Sequence, residues 1–131
     1  MTSHRAFAFI LVFLGGGLGC VLRHAVNEKG PGLWGVDYPW STVFVNIVGS
    51  LAMGLIAGWF ALRGHGGQLS RLFLTTGILG GFTTFSTFAL DGSLLLERGQ
   101  TLVGLAYIVG SVVVGIVALF AGLAIMRSLL S

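Results

Sequence analysis

Four long stretches without a charged residue dominate this chain of 131 residues. They cover residues 6–22, 42–62, 72–90 and 99–126, and an Arg or Asp closes each one. A membrane-spanning helix needs about 20 predominantly apolar residues, so each stretch is long enough to cross a bilayer. We therefore predict an all-α membrane protein with a single four-helix transmembrane domain, its helices at about residues 6–26, 42–62, 70–96 and 100–127.

Charged residues are too scarce for a soluble protein. They make up 8% of the chain, whose mean hydropathy is +0.97, whereas a soluble domain has about 25%. The basic residues are scattered near the ends of the apolar stretches, which argues against a nucleic-acid partner. The single Cys20 supports no disulfide framework. Although residues 4–20 also have the pattern of a lipoprotein signal peptide, three further spans follow, so we favour Cys20 as a packing residue of the first helix.

The basic residues are divided almost evenly between the two sides of the predicted membrane domain. If the helices alternate in direction, four lie on one side and three on the other. The two groups are Arg5, Arg63, Arg71 and Arg127, and Arg23, Lys29 and Arg98. Because the imbalance of Lys and Arg sets orientation, we expect dual topology with antiparallel pairing. The alternatives are that a bias of one suffices, or that Arg23 lies inside the first helix.

Glycine is abundant, with 22 residues in the chain. Many lie four residues apart in the predicted spans, such as Gly15 with Gly19 and Gly54 with Gly58. Small residues at this spacing let helix backbones approach closely in lipid. Tight helix packing is the expected consequence.

Residues 77–88, with the sequence GILGGFTTFSTF, are the least helix-like part of any span. Non-helical backbone is tolerated inside a bilayer where it is buried in protein or faces a cavity, and it frees carbonyls that can coordinate a cation. The third helix is therefore expected either to break near Gly80–Thr83 or to continue, with its hydroxyls bonded to the preceding turn.

The other spans contain few polar side chains. Asn46 lies in the second, while Tyr107 and Ser111 lie on one face of the fourth. An amide in hydrocarbon either joins neighbouring helices or donates to a passing ion, and taken alone the first interpretation is favoured. We expect no Asp, Glu or Lys in the interior of a span, and therefore no proton relay.

Three motifs of this chain resemble those of one known family. GGGLGCVLR at residues 15–23 is similar to its GGxxGxxxR opening, TVFVNIVGS at 42–50 to TxxVNxxGS, and GGFTTFSTF at 80–88 to GGxTTFSTF. The chain thus resembles the Fluc (CrcB) family of fluoride ion channels over nearly its whole length. The resemblance implies a passive, highly selective channel of the cell (inner) membrane that lets cytoplasmic fluoride leave and so prevents its toxicity. It also implies an antiparallel, dual-topology homodimer with a broken third helix.

The resemblance implies a role for individual residues as well. The implied pore residues are Asn46, Phe85, Phe88, Tyr107, Ser111, Thr84 and Ser86, with Arg23 near a pore mouth. The two phenylalanines would offer ring edges to fluoride, and Asn46 would donate a hydrogen bond to it. The backbone carbonyls of Gly80 and Thr83 would hold a structural sodium ion at the dimer centre. Ser41 stands where the family usually has Gly. In the fourth helix, Gly115 and Leu119 stand where some members continue the line of polar residues begun by Tyr107 and Ser111. Which residues complete that line is therefore left open.

Two other functions are compatible with four short helices. A small dual-topology drug and proton antiporter needs a carboxylate in the first helix, and residues 6–22 contain none. A structural membrane subunit would use the glycines and Asn46 for packing alone. Enzymatic activity is not expected, because Ser86 and the threonines have no predicted base nearby.

Overall fold

The computed structural model describes residues 3–64 and 67–130, and all regular structure within them is helical. His65 and Gly66, in the linker between the second and third predicted helices, lie outside the described residues, as do residues 1, 2 and 131. Four helical segments are long and apolar enough to cross a membrane, which confirms the predicted all-α membrane class. These spans are Ser3–Trp34, Trp40–Arg63, Gln68–Glu97 and Thr101–Leu130.

The first helix, α1 (Ser3–Trp34), extends well beyond the predicted end at residue 26. It passes through Pro31, which lacks a backbone N–H but does not end the helix here. The helix ends where Gly35 adopts a left-handed conformation, with φ of 83°, and donates its N–H to the Pro31 carbonyl at 3.1 Å. This is the usual position of a terminating glycine. A short connection then leads to α2 (Trp40–Arg63).

The third span consists of several pieces. It begins with α3 (Gln68–Leu72), continues as a π-helix over Phe73–Leu79 and ends its first half in α4 (Gly80–Phe82). Thr83 and Thr84 are extended, with φ, ψ of −85°, 161° and −150°, 121°. The second half is α5 (Phe85–Glu97), whose first turn is capped by the Thr84 hydroxyl. The span therefore bends at two threonines, and the continuous helix is not formed.

Glycines pack the helices into two pairs. A Cβ atom at Gly15 would lie 2.7 Å from the Phe73 carbonyl oxygen, and one at Gly19 would meet the Ile78 carbonyl, so α1 lies directly on the third span. Gly54 of α2 faces the backbone of Leu119 in α6 (Thr101–Leu130) in the same way. Only residues without side chains allow such close approach. The two pairs leave a groove between α2 and the third span, where the candidate site lies.

Candidate functional site

The side chain of Asn46 joins α2 to the bend in the third span. Its Nδ2 donates to the Thr84 carbonyl at 2.9 Å, and its Oδ1 accepts from the Thr84 N–H at 2.8 Å. The amide thus satisfies backbone groups that would be costly if left unpaired in lipid. An amide nitrogen carries two N–H groups, and one remains for a further partner. The two interpretations of Asn46 are therefore compatible.

A central cavity of about 340 Å³ lies beside this amide. It brings together most of the residues that the sequence motifs single out. They are Asn46, Gly80, Thr83, Thr84, Phe85, Phe88 and Ser111. None of the described lining residues carries a charge, so any ion inside would be held by dipoles and hydrogen-bond donors.

The hydroxyl of Ser111 is a buried polar group without a partner beside the central cavity. Its Oγ is buried and has no hydrogen-bond partner within the described chain. Buried polar groups are nearly always satisfied, and leaving one unpaired costs about 1–3 kcal/mol. Because Ser111 lines the central cavity, a bound ligand there could accept its hydrogen bond.

Phe85 and Phe88 lie on the first turn of α5, with ring centroids 5.7 Å apart. Phe88 also contacts the Tyr107 ring, whose centroid is 5.4 Å away. The Phe85 side chain is 80% exposed although it borders the cavity. Its ring is therefore free to meet an ion or a second protein copy.

Three predicted site residues do not line the central cavity of the single chain. Tyr107 is fully buried behind Phe88. Ser86 is exposed, and its Oγ lies 3.4 Å from the Thr84 hydroxyl. Arg23 is on α1, with its Nη2 3.7 Å from the Cys20 sulfur.

The expectation that no Asp, Glu or Lys lies inside a span is wrong, since α1 includes Glu28 and Lys29 and α5 includes Asp91. Asp91 is part of α5, and its Oδ2 accepts hydrogen bonds from Thr42 at 2.7 Å and from Tyr107 at 3.3 Å. Asp91 closes the apolar stretch 72–90 but not the helix, which ends at Glu97 as its predicted range implies, and two hydroxyls solvate the carboxylate inside the span. Asp91 lies three residues after Phe88 and therefore on the same face of α5. That spacing is the sequence signal that could have placed its carboxylate near the site.

The bend also removes the helical hydrogen-bond donors of two carbonyls. In a continuous α-helix the Thr84 N–H would bond to the Gly80 carbonyl, and the Thr87 N–H to the Thr83 carbonyl. Here Thr84 donates to Asn46 instead, and Thr87 donates to the Thr84 hydroxyl at 3.2 Å. The described residues contain no cluster of three or more His, Cys, Asp or Glu that could hold a metal ion.

Comparison with known proteins places the chain among membrane channels. Residues 10–123 match the family model described as "CrcB-like protein, Camphor Resistance (CrcB)". The chain is 53% identical over 121 residues to the fluoride-specific ion channel FluC of Rhodopseudomonas palustris (strain BisB5), covering 92% of this chain and 98% of that one. It is 55% identical over 118 residues to FluC of Methylobacterium nodulans, covering 90% and 94%.

Proposed function

Since this chain belongs to the CrcB-like protein family, we infer that it is a fluoride-specific ion channel, a multi-pass membrane protein and not an enzyme. We propose that it conducts fluoride passively, lets cytoplasmic fluoride leave the cell and thereby limits its toxicity. The observation that carries this proposal is the central cavity, in which a spare amide N–H, an unpaired hydroxyl and two phenylalanine rings meet without a charged side chain.

Such a lining suits a small anion that has lost its water. Fluoride is a strong hydrogen-bond acceptor, so the Asn46 amide and the Ser111 hydroxyl can replace part of its hydration shell. The edges of aromatic rings carry partial positive charge, and in a low-dielectric passage this attraction is stronger than in water. The absence of a fixed cation among the described lining residues keeps binding weak enough for the ion to leave.

We assign the remaining predicted residues to the same pathway. Thr84 lines the cavity and Tyr107 lies directly behind Phe88. Ser86 and Arg23 lie outside the cavity of one chain, so their roles in the pore and at its mouth depend on a second copy. The proposed assembly is the antiparallel homodimer in the lipid bilayer. Its support is the 80% exposure of Phe85 and the division of basic residues, which is four against three, or four against two when Arg23, inside α1, is not counted.

Fluoride efflux from liposomes tests the function directly. Purified protein is expected to release fluoride, followed with a fluoride electrode, and to retain chloride under the same gradient. The release should not depend on a proton gradient, which separates a channel from an antiporter. A purified, folded protein that releases no fluoride would favour a structural membrane subunit and contradict the channel.

A structural sodium ion is the second part of the proposal. Gly80 and Thr83 each have a carbonyl without its helical donor, and two antiparallel copies would bring four such oxygens to the symmetry axis. Neutral oxygens without a carboxylate suit a monovalent cation better than Ca²⁺ or Mg²⁺.

We predict one sodium ion per dimer that is held permanently and does not move with fluoride. Fluoride efflux should therefore be unchanged when the sodium gradient across the liposome is reversed. Anomalous scattering from crystals grown with a heavier monovalent cation should give one peak on the two-fold axis. A dimer centre without an ion, or efflux that follows the sodium gradient, would contradict the assignment.

A further inference from the structure

Three cavities lie in a row along the groove between α2 and the third span. The central cavity occupies the middle. One neighbour, the Arg71 cavity, has a volume of about 580 Å³ and is lined by Met53, Ala57, Phe60, Ala61, Arg71, Thr75 and Thr76. The other, the Arg98 cavity, has about 400 Å³ and includes Tyr38, Thr42, Asp91 and Arg98 in its lining.

The order of these cavities follows from the direction of the helices. Along α2, Thr42 lines the Arg98 cavity, Asn46 the central cavity and Ala57 the Arg71 cavity. The third span passes the same three cavities in the reverse order. Met53 lines both the central and the Arg71 cavities, so these two adjoin. The row therefore extends from one end of the spans to the other.

The two end cavities differ in charge. Asp37 and Asp91 accompany the arginine of the Arg98 cavity, whereas Arg71 is the single charged residue among the described residues lining its cavity. Within residues 3–64 and 67–130, no ion pair involves Arg71. The Thr75 hydroxyl donates to the backbone carbonyl of Arg71 at 2.9 Å and does not bind its guanidinium. One end of the row thus has an uncompensated positive charge.

We propose that the Arg71 cavity is the vestibule through which hydrated fluoride reaches the central cavity, with Arg71 as the residue that concentrates the anion there. This inference rests on the proposed fluoride function. A cleft with low-dielectric walls and one sign of charge raises the local concentration of the opposite ion. Arg71 acts through its charge at a distance, before fluoride loses its water to Asn46 and Ser111.

The test compares fluoride efflux of Arg71→Gln with the wild type at two ionic strengths. The Debye length is about 30 Å at 0.01 M and about 3 Å at 1 M. Efflux of the Arg71→Gln variant should fall at least about threefold at low ionic strength and return to the wild-type rate at high ionic strength. Arg71→Lys should keep the wild-type rate at both, because the charge remains.

Arg63→Gln is the matched control. It removes the same charge near the same ends of α2 and the third span, but the Arg63 guanidinium lies over the Trp59 ring, 4.7 Å from its centroid, and lines none of the three cavities. At low ionic strength its efflux should fall clearly less than that of Arg71→Gln, because its charge does not line the cavity. A loss in Arg71→Gln that is the same at both ionic strengths, or no loss at all, would overturn the role of Arg71.

A second pair of variants tests the route itself. Ala57→Trp would narrow the Arg71 cavity from a position that does not line the central one and should lower efflux severalfold at both ionic strengths. Ala121→Trp, at an exposed position on α6, should have no effect. Wild-type efflux from correctly folded Ala57→Trp would show that fluoride takes another route. A negative result with Arg71→Gln or with Ala57→Trp would contradict the vestibule but not the channel function. Only a wild-type protein without fluoride efflux would contradict the channel function.

Discussion

Fluoride efflux is expected to fall about thirtyfold when Phe85 or Phe88 is replaced by Ile, while the protein still elutes at its wild-type size. Isoleucine keeps the apolar volume but has no polarised ring edge. A cation over a ring face gains about 2 kcal/mol when desolvated. A similar gain for fluoride at a ring edge corresponds to about thirtyfold, since every 1.4 kcal/mol is tenfold. The measurement is initial efflux from liposomes at matched protein density.

Phe13→Ile is the matched control for this pair. Phe13 is 80% exposed, as is Phe85, but it lies on α1 and lines none of the three cavities. Its efflux should be unchanged. If either folded Phe variant releases fluoride at the wild-type rate, that ring does not belong to the pathway.

Asn46→Asp is expected to abolish fluoride efflux in a protein that still folds. The carboxylate can accept the Thr84 N–H as the amide oxygen does, but it would oppose the Thr84 carbonyl, to which Nδ2 now donates at 2.9 Å. It would also place a negative charge at the central cavity. Two like charges 4 Å apart repel by about 4 kcal/mol at an effective dielectric of 20, which corresponds to roughly a thousandfold loss.

Comparison with Asn46→Ala separates the pore role from the packing role. Alanine removes both hydrogen bonds to Thr84, whereas aspartate removes one and buries a charge, so both variants should lower the thermal unfolding temperature. Aspartate should lower efflux far more than alanine, because only aspartate repels the anion. If alanine lowers efflux as much as aspartate does, Asn46 acts by holding α2 to the third span alone.

The spans were readily predicted because an uncharged stretch long enough to cross a bilayer is a property of sequence alone. The end of α1 was harder, since the helix continues through Pro31 to Trp34, whereas the third span ends at Glu97, close to its predicted end. The charge inside that span depends on tertiary partners. The carboxylate of Asp91 is tolerated because hydroxyls from α2 and α6 solvate it, and no local pattern places those hydroxyls there.

The sequence predicted which residues belong to the candidate site, but not which of them contact one another. Tyr107 and Ser111 share a helix face, yet Tyr107 donates to Asp91 while Ser111 faces the central cavity. Composition left the third helix undecided between a break and a continuous form. What decides it is the Asn46 side chain, which takes the Thr84 N–H that a continuous helix would use.

The π-helix over Phe73–Leu79 limits where this chain can tolerate insertions and deletions. A π turn holds an additional residue compared with an α turn, so removing it would rotate the following residues by about 100°. Gly81, the second residue after the π-helix, fits closely against the Gly16 carbonyl of α1. The connections that contain Gly35 and Gly99 can change length without moving the central cavity. Loss of one residue between Phe73 and Leu79 would instead rotate Gly80 and Thr83, which line the central cavity, out of their present positions. Chain length should therefore vary in the loops and stay constant in the π-helix.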